Sequence, residues 1–137
     1  MAAHLVVLLA LGSLTIQVSA ACAEEQMSYG EGEYLNSCAA CHGLHGRGDG
    51  ALAPVLKTAP ADLTLLRKKN GGEFPSERVH AVIDGRDIVP GHGSREMPIW
   101  GRQFLEEDAK TYGPVGGEMM TGDRIDALAR YVATLQQ

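Results

Sequence analysis

The sequence predicts an all-α domain. Three observations carry that reading. Apolar residues recur at helical spacing in the best-patterned segments. Glycine clusters such as Asn70-Gly71-Gly72 fall between those segments. No stretch alternates apolar and polar residues as a half-buried strand does. The chain has 137 residues, which suits one domain. It is 45% hydrophobic but only 5% aromatic, so a core this small fills more easily around a bulky apolar group. The net charge of -5 argues against nucleic acid as a partner, since nucleic-acid binders present a basic face. It suits a protein that meets basic partners through local patches.

The N-terminus reads as an export signal. Leu5-Val-Val-Leu-Leu-Ala-Leu11 is a short apolar run, and small residues follow it. Ala21-Cys22-Ala23 fits a cleavage site, with Val18-Ser19-Ala20 as a second position. The boundaries expected are a signal peptide over 1–23 and a folded domain over 24–137. The run is too short and interrupted for a normal membrane span. Residues Met1-Ala2-Ala3-His4 carry no Lys or Arg, so an uncleaved weak anchor is the other reading. Lipidation at Cys22 ranks below both, because Ser19-Ala20-Ala21 lacks a large apolar residue. Export places the domain in the periplasm. Cleavage after Ala23 removes Cys22 and leaves Cys38 and Cys41 as an isolated pair.

The first helix is expected over Ser28–Cys38. Ser28 and Glu31 form a capping box, and Gly30 and Tyr34 share one face. A short second helix is expected over Asp62–Lys69. Asp62 caps its start, Arg67, Lys68 and Lys69 suit its negative end, and Asn70-Gly71-Gly72 stops it. A third runs from Ser76 to Asp84, with Val79, Val82 and Ile83 on one face and Gly85 as terminator. Gln103–Tyr112 forms an extra helix. The last helix spans Gly122–Leu135, where Ile125, Leu128, Ala129, Val132 and Leu135 make one apolar stripe.

Cys38-Ala39-Ala40-Cys41-His42 is a C-x-x-C-H motif, the signature of covalent haem attachment. Its spacing brings two thiols to the two vinyl groups on one side of a porphyrin, and the next residue swings an imidazole under the iron. A redox-active C-x-x-C pair is a rival, but that chemistry sits at a helix start in a sheet-containing domain. A zinc site needs two more ligands, and His45, His80 and His92 show no metal-site spacing. A plain structural disulfide leaves the adjacent His unexplained. Gly46-Arg-Gly-Asp-Gly50 lacks the Lys and the preceding strand of a phosphate loop. No hydrolase or metalloprotease motif is present, and no residue set predicts catalysis.

On these residues the chain resembles the class I monohaem cytochromes c, over most of its mature length. The resemblance implies about three to five helices around one covalently bound haem c, with the N- and C-terminal helices crossing. Gly30 and Tyr34 match the first crossing helix, and Leu128 and Tyr131 the second. Gly43-Leu-His-Gly-Arg-Gly-Asp-Gly50 resembles the glycine-rich loop that follows the motif in bacterial members. Pro54-Val-Leu56 falls where the family has Pro-x-Leu, which implies that the Pro54 carbonyl accepts a hydrogen bond from His42. The family's sixth ligand, a Met often followed by Pro, matches Met97-Pro98. Met119 and Met120 are rivals, and His92 or an open position are further alternatives. Trp100 either packs on the haem edge, donates to a propionate or fills core. Arg86, Arg95 and Arg102 either offset propionate charge or face solvent, and His45 and His80 read as surface polar residues.

The function expected is electron transfer in the periplasm, not enzyme chemistry. Iron cycles between Fe(III) and Fe(II), between a donor dehydrogenase or quinol oxidase complex and a terminal acceptor. Membrane contact comes only through a partner or an uncleaved signal. The alternative is a dedicated cytochrome subunit of one oxidoreductase complex, docked through Phe104, Leu105, Ala109 and Tyr112. An open-site enzyme or gas sensor and a non-haem thiol protein are the remaining readings.

Overall fold

The computed structural model describes residues 27–87 and 100–137. The stretch expected as a signal peptide, with Cys22, lies outside the described residues, as do His92, Arg95, Met97 and Pro98. Among the described residues there are five helices and no strand: α1 Tyr29–Ser37, α2 Ala39–His42, α3 Leu66–Lys69, α4 Ser76–Asp84 and α5 Trp100–Thr134. Two 3-10 turns, Ala53–Val55 and Leu63–Leu65, lie between α2 and α3.

The expected starts and stops hold at several ends. The Ser28 hydroxyl accepts a bond from the Glu31 N–H at 3.2 Å and opens α1. The first helix ends where expected, at Cys38, whose φ of -119° closes α1 and starts the separate turn α2. Asp62 accepts from both the backbone N–H and the hydroxyl of Thr64, at 2.9 and 2.6 Å. That cap starts a 3-10 turn that runs directly into α3. Helix α4 has the expected bounds, and Gly85 closes it in the left-handed region at φ 91°.

Both helices expected in the C-terminal part are present, but they are longer and adjoin in one element. Helix α5 begins at Trp100 and is broken at Gly113, whose φ of 74° and ψ of 173° suit only glycine. Pro114 then starts a second limb, where its missing N–H costs nothing. The two limbs, 100–112 and 114–134, fold back as a hairpin. A Cβ on Gly117 would lie 2.7 Å from the Ala109 backbone, and the Thr121 hydroxyl donates to Asp108 at 3.0 Å. Arg124 joins the hairpin to α1. Its guanidinium reaches Glu33, Glu107 and Asp108 at 2.8, 3.1 and 3.3 Å, and lies 4.0 Å from the centre of the Phe104 ring.

Helix α1 crosses the second limb of α5 at Gly30. A Cβ there would stand 2.2 Å from the Ala127 carbonyl oxygen, so only glycine lets the helices approach this closely. The Tyr34 ring packs at a tilt of 49° against Tyr131, with ring centres 5.2 Å apart. The crossing buries Tyr34, Ile125 and Leu128, which with Phe104 are the largest fully buried side chains. Leu128 and Tyr131 therefore stand where the resemblance implied. Phe104 and Ala109 are used inside the hairpin and do not form a docking stripe.

Candidate cofactor site

Helix α2 is one turn long, so its last carbonyls need partners from elsewhere. The glycine-rich loop supplies them. The N–H groups of Gly48, Gly50 and Leu52 donate to the carbonyls of His42, Cys41 and Ala40, at 2.8, 3.1 and 2.9 Å. The loop can come this close because it has no side chain at the contact: a Cβ on Gly50 would lie 2.4 Å from the Ala40 oxygen. The Tyr34 hydroxyl donates to the Gly43 carbonyl at 2.7 Å in a buried position. The motif is thus held from α1 on one side and from the loop on the other.

The imidazole of His42 is buried, and its Nδ1 donates to the Ala61 carbonyl at 3.0 Å. A carbonyl only accepts, so Nδ1 carries the proton and Nε2 carries the lone pair that a metal needs. Burial pushes the imidazole below its ordinary value and so favours the neutral ligand form, while the Ala61 bond works in the opposite direction. The acceptor is therefore Ala61, not Pro54. Pro54 is exposed on the Ala53–Val55 turn. The 60–63 stretch takes its place because the glycine loop draws it in: the Leu63 N–H donates to Gly46 at 2.7 Å, and Gly48 lies against the Pro60 carbonyl.

Cys38, Cys41 and His42 all line one cavity of about 410 Å³, a size within the ordinary range for cofactor pockets. Its walls are mostly apolar: Leu56, Leu63 and Leu66 from the α2–α3 region, Val79, Val82 and Ile83 from α4, and Leu128 and Val132 from α5. The apolar stripe of α4 faces this cavity, and no residue of that helix is fully buried by protein. Such a face fits a large flat apolar group.

Two further features fit a group bearing carboxylates. Among the described residues, the charged ones on the wall are Lys69 and Arg78, both basic. Trp100 also lines the wall, and its buried indole N–H has no acceptor among the described residues. Lys69 and Arg78 were not singled out from sequence; Lys69 read only as a helix-end charge. Arg86, one of the arginines expected near such carboxylates, instead donates to Asp84 and contacts His80.

The thiols stand free, and burial pushes Cys38 up to about 12, with Glu33 and Cys41 adding to the effect. A thiol held so strongly protonated is a poor redox nucleophile. Among the described residues, no group of three or more His, Cys, Asp and Glu stands together as a zinc site requires. Met119 and Met120 do not line the cavity among its described walls, and Met119 is 69% exposed on the far side of the hairpin bend. No described helix is long and apolar enough to cross a membrane.

The family model for cytochrome c matches residues 28–136. No curated protein and no solved structure matches the chain.

Proposed function

The chain belongs to the cytochrome c family, and on that premise we propose that it is a periplasmic electron-transfer protein carrying one haem c, attached at Cys38 and Cys41, with His42 and Met97 as axial ligands. One observation carries the reading. Both thiols of the C-x-x-C pair and the imidazole of the next residue open onto the same apolar cavity, with the imidazole already oriented by Ala61.

When bound, the haem supplies an iron that takes up and returns one electron without bond chemistry on a substrate. The chain's own residues set the conditions for this. Ala61 holds the His42 tautomer and ring orientation. The leucines and valines of α3–α5 keep water from the cavity wall. Lys69, Arg78 and the Trp100 N–H offer positive charge and a donor to carboxylates. A thioether from Met97 favours reduced iron and raises the potential. The 1–23 leader supports export. Partners are a donor dehydrogenase or quinol oxidase complex and a terminal acceptor, met through small short-lived contacts.

The test is spectroscopic and electrochemical. The purified holoprotein shows a reversible one-electron couple, and its oxidised spectrum has the weak near-infrared band of sulfur–iron ligation. Met97→Ala abolishes that band and opens the iron to carbon monoxide. Absence of a reversible couple would sink the electron-transfer reading. A band that survives the substitution would sink the Met97 assignment alone.

A second reading is a dedicated cytochrome subunit. It rests on Tyr112, Val115 and Met119, which stand 55%, 74% and 69% exposed around the hairpin bend. Co-purification of a stoichiometric partner from native extract supports this reading; a free monomer supports the carrier.

A further inference from the structure

We propose that His80 is a proton-operated catch, which ties Arg86 to α4 when neutral and releases it when protonated. The partners of the ring force its protonation state. The Arg86 guanidinium lies 3.0 Å from Nδ1, and guanidinium only donates, so Nδ1 must hold a lone pair. Nε2 lies 3.1 Å from a carboxylate oxygen of Asp126 on α5, so Nε2 carries the proton and donates it. The arrangement is complete only for the neutral Nε2–H form of the imidazole.

His80 was expected to be a plain surface residue. Its side chain is instead only 26% exposed, between two elements and the chain that leaves α4. Arg86 also donates through Nε to Asp84. Asp84 in turn abuts the start of α5, where a Cβ on Gly101 would lie 2.5 Å from the Asp84 carbonyl oxygen. The chain at 85–87 is folded onto the last turn of α4 by bonds from the Gly85 and Asp87 N–H groups to the Ala81 carbonyl, both at 3.0 Å. The carboxylate of Asp87 pairs with Arg78 at 3.6 Å.

The charged groups around His80 decide the direction of the response. From the outgoing chain it meets Arg86, and from α5 Asp126, with Asp123 and Arg130 a turn to either side along that helix. On α4 itself, Glu77 and Asp84 stand three and four residues away. A proton taken from solvent at Nδ1 places an N–H against the Arg86 N–H and sets two cations side by side. That bond is lost and Arg86 keeps Asp84 alone, while the His80–Asp126 contact becomes a full ion pair. Protonation thus loosens the chain at 85–87 without detaching α4 from α5. The inference stands on residues 80–87, 101 and 126, and does not depend on the haem reading.

The experiment uses the reduced holoprotein labelled with ¹⁵N at histidine and at the backbone. The His80 ring nitrogens show the Nε2–H tautomer in the neutral form. The exchange protection of the Asp87 amide falls several-fold on acidification, in step with the loss of the neutral-ring ¹⁵N signals of His80 in the same sample. His80→Gln removes that pH step. Arg86→Gln, at an exposed position, lowers protection to the same level at all pH values. A neutral Nδ1–H tautomer, a pH-independent Asp87 protection in the parent, or a pH step that persists in Arg86→Gln would each overturn the proposal.

Discussion

At the scale of single residues, the motif Cys38–His42 is legible in sequence, but the groups that orient it are only partly so. Tyr34 was placed on the crossing face by its spacing from Gly30; nothing local shows that its hydroxyl reaches Gly43. The carbonyl that holds His42 belongs to Ala61, nineteen positions along the chain. A backbone carbonyl has no sequence signature, and the nearby Pro54 offered a family-like pattern at the wrong place. The glycine loop decides the matter by packing against 60–63. Tyr34→Phe tests this layer. It leaves the Gly43 carbonyl without its buried donor and lowers stability by about 1–3 kcal/mol, read from urea unfolding of the holoprotein. An unchanged midpoint would show that the bond contributes nothing.

At the scale of elements, helix ends were legible where side chains or glycines mark them. Asp62 and Gly85 are such marks, and both act as read. The Asp62 cap also predicts a pH effect. Its bonds to Thr64 hold the carboxyl below its ordinary value, so the cap's charge-dependent stabilisation is present above the usual carboxylate range and is lost as pH falls through the lowered folded value. Loss of the cap in Asp62→Ala costs about 1 kcal/mol near neutrality. The difference from the parent shrinks in acid; a difference that stays constant down to the acid range would contradict the assignment. The start of α5 was not legible. The stretch between the two helices expected there, Gln103–Tyr112 and Gly122–Leu135, holds Gly113, Pro114, Gly116 and Gly117. Gly113 and Pro114 do mark a break, but one inside a hairpin. Gly117 is tolerated in a helix because the opposing limb leaves no room for a side chain.

At the scale of the whole molecule, the crossing of α1 and α5 frames the site. It brings Tyr34, Leu128 and Val132 to the cavity wall, while α4 closes the opposite side with its apolar face. The all-α class was legible because a 3.6-residue period is a local signal; the crossing pair was legible only through the family resemblance carried by Gly30, Tyr34, Leu128 and Tyr131. The cavity was not, because it is made by residues 34 to 132 meeting across the fold. Gly30→Ala drives a methyl into the Ala127 carbonyl. It destabilises the protein by about 1–3 kcal/mol through overpacking, measurable as a lowered thermal midpoint; a neutral effect would mean that the helices separate freely.

The central claim is that Cys38, Cys41 and His42 hold one covalent haem in this cavity. Its most direct test is the denatured mass and reduced visible spectrum of the protein made in a host that attaches haem, beside the Cys38→Ala/Cys41→Ala double variant. The account predicts a parent mass exceeding the polypeptide by a single haem, with sharp reduced c-type bands, and a double variant with no retained haem mass. A colourless parent at bare polypeptide mass, or a double variant that keeps covalent haem, would contradict it.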